Sequence, residues 1–471
     1  MNYIILYVSQ QNSSVFTCTG MLQLQIYIYW GFKTEVSFKK SSLKQNVLKL
    51  PKHMIRSLKQ KKHSRKFKNS DDITEPHAKL LLERFPYSIK DLQFREVPTL
   101  HVNQDFFQDP FKTIDDLYAK GYEKFGIVKL LLPSELIVPE KKFFSDLEQK
   151  LKGKRVETRV QTLNQQQAGE IFGSNTVGYT LQEYMSYANK FESSHKLQGV
   201  REVSNQIRQN EIEFWSIVDF PDRYSEVEVE YAADLLATKY ATGYQDGQLG
   251  NLSNINKNCN SIFQVLQEKS EMSGISVPWL YLGMKYANFC WHKEDLNLNS
   301  MNYMHAGAPK TWYAIPPSHS EKFLQYFNKK YEKERIHNPR LLYDIVCQIS
   351  PIELAEQQIT ILRTEQHPGE LIITLGATYH AGFSHGFNCS EAVNVAPTQW
   401  LDEYERASTE YRMDGNLKKV IHPFSFCVGQ FSIGVATNQS CSYGRSSQIY
   451  QTIMDQGMLV MLILRYSTNL K

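Results

Sequence analysis

Within the stretch NFCWHKEDLNLNSMNYM, His292 and Glu294 stand two residues apart. On a β-strand, alternate residues share a face, so one strand would aim an imidazole and a carboxylate at one point. Those two groups are part of a 2-His-1-carboxylate facial triad, the donor set that leaves positions open on a non-haem Fe(II). The spacing alone is weak evidence. The chain has 13 histidines and 49 acidic residues, so such a pair can arise by chance, and a second one occurs at His319 and Glu321. That pair follows Pro316-Pro317, and Ser318 with Glu321 has the S-x-x-E spacing of a helix capping box. It is expected to open a helix. For His292 the competing reading is a core histidine beside Trp291.

The neighbours of His292 favour chemistry. Asn302 and Lys310 follow in MNYMHAGAPKTWYAIP, a strand-and-turn pattern. A lysine aimed into a barrel is costly to bury unless it meets an anion. A bound dicarboxylate such as 2-oxoglutarate would supply one, and Fe(II) with a single carboxylate ligand still carries net positive charge to attract it. A third metal ligand should come from a later strand. The segment YHAGFSH offers His380 and His385. Their odd separation puts them on opposite faces of a continuous strand, so they are not equivalent, and spacing leaves both open.

The elements that must position these residues are mostly strands. Val227–Tyr231, Val277–Met284, Thr311–Ile315, Glu370–Leu375 and Glu391–Ala396 read as short strands between turns, the texture of a barrel, jelly roll or sandwich. Upstream, Phe111, Ile114, Leu117, Tyr118 and Tyr122 have near-helical spacing and Gly126–Leu130 reads as a strand. Leu181, Tyr184 and Tyr187 mark one face of a helix within 179–191, while 343–350 and 353–358 read as inserted helical or loop elements. The fold class expected is mainly β with flanking α. The expected organisation is an unassigned segment 1–38, a basic flexible arm 39–70, a compact segment 95–135, a helical linker region 136–225, a β domain 226–400, a helical extension 401–424 and a tail 425–471 of no assigned role.

Composition sets the outer bounds. The chain has 471 residues, 42% hydrophobic and 22% charged, with a formal net charge of +4, an ordinary globular composition. Its 7 cysteines are scattered without a C-x-x-C pair, which argues against a disulfide framework or a structural zinc finger. The apolar run from Met21 to Phe32 is broken by Gln23 and Gln25 and falls short of the ~20 residues a membrane span needs. It also lacks the basic n-region and cleavage site of a signal peptide. A soluble chain with no membrane partner is expected. Residues 39–68 are densely basic, which suits a polyanion. That segment is expected to serve nuclear import or DNA contact, which places the protein in the nucleus.

Two long blocks, GMKYANFCWHKEDLNLNSMNYMHAGAPKTWYAIP and PGELIITLGATYHAGFSHGFNCSEAVNVA, resemble a Jumonji C domain. The stretches VEVEYAADLLATKYATGYQ and SGISVPWLYLGM are similar to the JARID1-type histone H3 lysine-4 demethylases. EVPTLHVNQDFFQDPFKTIDDLYAKGYEKFGIVKLLLP resembles their Jumonji N segment. The resemblance covers roughly residues 95 to 420. It implies a double-stranded β-helix, or cupin-like jelly roll, with the N segment packed against it. It implies Fe(II) ligands at His292, Glu294 and His380, since the family pattern uses the first histidine of Y-H-x-G-F. It places 2-oxoglutarate contacts at Tyr231, Phe289, Asn302, Lys310 and Trp312, and methyl-lysine contacts at Gly274, Trp279, Tyr281, Ser300 and Asn394. Arg363 falls where the family has a basic residue near the path of oxygen to the iron.

The implied reaction consumes Fe(II)-bound 2-oxoglutarate and dioxygen to demethylate a methylated histone H3 tail. A Jumonji C hydroxylase and a non-catalytic chromatin scaffold are the alternatives. The chain departs from the subfamily in two respects. Only a short stretch joins Leu163 to Tyr179, without room for the ARID and PHD modules, and past Trp400 only Cys427 and Cys441 remain for a zinc finger.

Overall fold

A computed structural model of the chain describes residues 21–28, 32–39, 87–194 and 203–413, apart from 246–247, 249, 259 and 266–273. The basic segment beyond Lys39 and the tail 425–471 lie outside the described residues. So do Cys18, Cys259, Cys427 and Cys441, whereas Cys290, Cys347 and Cys389 are buried free thiols. Within 1–38, which the sequence left unassigned, strands β1 (Met21–Ile28) and β2 (Phe32–Lys39) form an antiparallel hairpin in a unit of its own. The run MLQLQIYI alternates apolar with other residues, a period-two signal of a strand rather than a helix. Among the described residues, no helix is long and apolar enough to cross a membrane.

The larger unit is built on two sheets. In chain order its strands are β3 (Arg95–Glu96), β4 (Thr99–His101), β5 (Ile127–Leu131), β6 (Val156–Thr162), β7 (Gly173–Tyr179), β8 (Glu228–Leu236) and β9 (Trp279–Gly283). They continue with β10 (Asn288–His292), β11 (Asn299–Gly307), β12 (Lys310–Ala314), β13 (Leu362–Gln366), β14 (Glu370–Thr374), β15 (His380–Ser384) and β16 (Asn388–Val395). One sheet has the order β10-β15-β12-β13-β3; the other has nine strands in the order β4-β5-β14-β11-β16-β9-β8-β6-β7. The helices that matter below are α1 (Pro110–Ala119), α2 (Glu140–Lys150), α3 (Leu181–Ser194), α4 (Val203–Asp219), α5 (Ser320–Lys330), α6 (Pro351–Glu356) and α7 (Trp400–Met413).

Strand periodicity decides what each sheet face carries. On the nine-stranded sheet Met301, Tyr303, Leu371, Ile373, Val393 and Val395 form an apolar outer face, covered by Phe111, Ile114 and Leu117 of α1. Their strand neighbours Ser300, Asn302, Thr374 and Asn394 must face the other way, toward the five-stranded sheet. Ile127 and Ile372 also point there and pack with Trp312, Ala314 and Leu362. The polar inward residues are therefore the mark of a site inside the jelly roll.

The N segment is integral to both sheets. Strand β3 pairs parallel with β13, β4 pairs parallel with β5, and β5 pairs antiparallel with β14. Helix α1 starts where the sequence allows: the Asp109 side chain accepts from the Lys112 N–H at 3.2 Å, and Pro110 needs no partner in the first turn.

Two expectations change. The region 136–225 is not only a helical linker; between its helices lie β6 and β7, which extend the nine-stranded sheet beyond β8. Its strand signal is faint because, apart from Val156 and Tyr179 at the outer ends, the buried side chains are polar: Thr158, Gln161 and Asn175 are buried by hydrogen bonding to Glu230 or Asn288 rather than by apolar contact. The pair His319 and Glu321 does open a helix, α5, but the N-cap is His319 and Ser318 makes no capping bond. Pro316-Pro317 imposes a 3-10 turn over Pro317–His319 first, which carries Ser318 out of register with the helix.

Candidate metal centre

Strands β10 and β15 run antiparallel at the edge of the five-stranded sheet, and His292 is the direct cross-strand partner of His380. Their ring centroids are 4.3 Å apart. Glu294 lies just past the end of β10, still extended at φ −63 and ψ 150, so its carboxylate returns to the same side. Its Oε1 is 3.6 Å from Nε2 of His380. One ligand atom from each of His292, Glu294 and His380 lies within 4.8 Å of the others, the only such group of three or more among the described residues.

Both imidazoles are oriented by backbone carbonyls. Nδ1 of His292 meets Cys290 O at 2.7 Å, and Nδ1 of His380 meets Thr378 O at 3.0 Å. A carbonyl only accepts, so each Nδ1 carries the proton and each Nε2 offers its lone pair. Burial, then the neighbouring His292, holds the His380 imidazole well below its usual pKa, which keeps it neutral and ready to ligate. The second oxygen of Glu294 accepts from Nδ2 of Asn394 at 2.8 Å.

The turn out of β10 is strained and clamped. Leu296 and Asn297 both have positive φ, 54° and 56°, a conformation that non-glycine residues hold only when their surroundings impose it. The Trp400 indole of α7 donates to Leu296 O at 3.0 Å. Strand β10 is an edge strand, yet its backbone is covered: Gln161 bonds Asn288 O and N at 2.8 and 3.0 Å, and Gln348 Nε2 donates to Phe289 O at 3.1 Å.

His385 does not reach this point. It lies beyond β15, and its ring meets Thr311 Oγ1 at 2.7 Å and Asn210 Nδ2 at 3.3 Å. It thus ties α4 to the outer face of the five-stranded sheet. The parity argument from sequence predicts that separation.

Next to the triad, Lys310 is 2% exposed and its Nζ donates to the Tyr231 hydroxyl at 3.1 Å. Among the described residues no carboxylate pairs with it. Burial pushes its pKa down to about 7. Two hydroxyls beside it are also orphaned: Ser384, its partner across β12–β15, and Ser390, the partner of Tyr281 across β9–β16, have buried oxygens without a hydrogen bond. Trp312 stacks on His380 at 5.9 Å between centroids and meets Phe289 at 4.6 Å. Asn302 lies on the inward face of β11. A 2-His-1-carboxylate set backed by a buried ammonium and unpaired hydroxyls fits Fe(II) with a dianionic chelator.

The residues expected at the substrate end also gather here. The Tyr281 ring lies 6.0 Å from that of Tyr231. Gly274, at φ 76°, lets the Trp279 indole lie against its backbone; a Cβ there would sit 2.3 Å from Cζ2. Ser300 and Thr374 share a 2.6 Å hydrogen bond. Asn394 is placed on Glu294, so it positions a member of the candidate metal site whatever else it touches. Arg363 is corrected. It projects from the outer face of β13, where Glu211 of α4 takes it in a bidentate pair at 2.9 and 2.7 Å, so it fastens a helix and does not line the centre. Sequence reasoning missed Glu211, the Gln161 and Gln348 props, and the Arg159–Asp234 ion pair beside Tyr231 and Tyr281. A positive φ of 62° at Asp234, within a bulge of β8, marks that pair only in three dimensions.

Residues 279–395 match the family model described as JmjC domain, hydroxylase, and the two sheets are the jelly roll of that domain. Among curated proteins, the chain is 32% identical to the lysine-specific demethylase JMJ703 of Oryza sativa subsp. japonica over 379 residues, 69% of this chain and 30% of that protein. It is 30% identical to the lysine-specific demethylase JMJ706 of the same species over 375 residues, 75% of this chain and 42% of that protein. It is 34% identical to the putative lysine-specific demethylase JMJ16 of Arabidopsis thaliana over 273 residues, 52% of this chain and 22% of that protein. The chain thus spans less than half the length of these relatives.

Proposed function

We propose that the chain is an Fe(II)- and 2-oxoglutarate-dependent oxygenase that removes methyl groups from a lysine of a histone tail, with histone H3 lysine-4 as its target. The reading is carried by one observation: the triad His292, Glu294 and His380 lies beside a buried lysine with no anionic partner among the described residues. The names of its relatives, lysine-specific demethylases, favour this chemistry over hydroxylation of another side chain. The lysine-4 target rests on the resemblance of residues around Tyr231 and Trp279 to that subfamily.

Iron, 2-oxoglutarate and dioxygen together supply an oxidant able to attack an N-methyl C–H bond, which needs no lone pair on nitrogen. His292, Glu294 and His380 hold the metal, and Asn394 keeps the Glu294 carboxylate in place. Lys310 and Tyr231 receive the distal carboxylate of the cosubstrate, with Asn302, Phe289 and Trp312 along its length. Gly274, Trp279, Tyr281 and Ser300 receive the methylated ammonium, for which aromatic faces are a favourable wall. Positioning the methyl group and excluding water are the protein's contributions. The basic residues 39–68 suit nuclear import or contact with DNA.

A formaldehyde-release assay on methylated histone H3 peptides, with and without 2-oxoglutarate, tests the reading. Release that depends on 2-oxoglutarate and disappears in His292→Ala is expected. A stable product heavier by one oxygen would move the chain to the hydroxylases, and release from other lysines but not lysine-4 would remove the proposed target.

A further inference from the structure

The structure assigns a positioning role to Gln366: it fixes which way the Asn302 amide faces and so presents an N–H group to the cosubstrate. This rests on the reading of Asn302 as a 2-oxoglutarate contact.

Gln366 ends β13, opposite Lys310 across the β12–β13 pair, and is fully buried at 0% exposure. The Trp312 indole N–H lies 2.9 Å from one end of its side-chain amide. An indole can only donate, so that end is the oxygen. The other end is then the NH2 group, which reaches Asn302 O at 2.8 Å, Asn302 Oδ1 at 3.2 Å and Glu370 O at 3.2 Å. A donor facing Asn302 requires an acceptor there, so the side-chain oxygen of Asn302 faces Gln366. Its Nδ2 is left over, and among the described residues it donates to no protein group.

The orientation therefore passes along a chain with one consistent solution, set by Trp312, relayed by Gln366 and read out at Asn302. Without the relay, the Asn302 amide can rotate by a half turn and offer an oxygen to an anionic ligand, exchanging an attraction for a repulsion. Gln366 itself is a positioning residue. It acts through Asn302.

The test is anaerobic calorimetric titration of 2-oxoglutarate into the full chain loaded with Mn(II), a readout independent of turnover. Gln366→Met removes both polar ends at similar volume and is expected to weaken binding by roughly 10- to 100-fold, the scale of losing a hydrogen bond to a charged group. Mn(II) stoichiometry should be unchanged. In an Asn302→Ala background the same substitution should have little further effect, because the two act as one unit. Gln366→Glu keeps an acceptor for Trp312 and donates to Asn302 only while protonated, so its binding should fall with rising pH more steeply than wild type. Were Gln366→Met misfolded, this second variant decides. Wild-type affinity and pH dependence in the variants, or losses that simply add in the double variant, would overturn the role of Gln366 alone. A wild-type protein that does not bind 2-oxoglutarate would overturn the proposed function together with it.

Discussion

At the scale of single residues, the site is a set of donors whose directions are fixed before any ligand arrives. Asn394 holds the Glu294 carboxylate at 2.8 Å, and loss of such a contact commonly lowers metal affinity or activity by roughly 10- to 100-fold. Asn394→Ala should fall in that range in a metal titration, with its melting temperature little changed. Lys310 gives a pH signature. Burial lowers its pKa to about 7 in the free site, whereas a bound dianion would favour the ammonium. Below pH 7 the free lysine is already charged. Above it, binding must take up a proton, so affinity should fall by up to about tenfold per pH unit. Calorimetry of 2-oxoglutarate binding in two buffers of different ionisation enthalpy checks this; no proton uptake at pH 8 would contradict it. His292, Glu294 and Lys310 were legible in the sequence because period two and the cost of a buried charge are local arguments. Gln366 was not, since its meaning lies in the orientation of an amide, which depends on partners from other strands.

At the scale of elements, helix α4 carries much of the burden of holding the five-stranded sheet. Glu211 pairs with Arg363 and accepts from Tyr313 at 2.6 Å, and Trp215 donates to the same Tyr313 hydroxyl at 2.9 Å. Glu211→Ala leaves the buried Arg363 only its 2.7 Å bond to Glu365, and loss of its bidentate partner should destabilise the fold by about 3 kcal/mol. Thermal denaturation measures it, and removal of both charges with apolar residues of similar size should be far milder. Strands β11 and β16 were readable because an apolar outer face alternates with polar residues, and β14 as a short apolar run. Strands β6 and β7 were not, because Thr158, Gln161 and Asn175 within them are buried through hydrogen bonds. The acidic residues Glu211 and Glu213 of α4 are buried against Arg363 and Lys285. A charge pattern does not reveal which partner a distant segment will bring.

At the scale of the larger unit, the N segment completes the jelly roll. Phe111, Ile114 and Leu117 cover the outer face of the nine-stranded sheet, and each buried apolar side chain contributes roughly 1.5–3 kcal/mol. Truncation of the chain to start after residue 135 removes these side chains and strands β3 to β5. It should abolish cooperative unfolding, as followed by circular dichroism; a truncated chain that melts like the full one would show that the N segment is a separate appendage.

The amino-acid sequence by itself determined the faces of the strands, the pairing of His292 with Glu294 on one side, and the exclusion of either His380 or His385 by parity. These follow from the backbone repeat, which is the same in every strand. The family resemblance singles out His380, but only the tertiary structure decided that it lies directly across from His292, that Arg363 belongs to a helix clamp, and which end of each amide faces the centre. Those depend on register and packing between segments far apart in the chain, and separation along a sequence carries no information about distance in space.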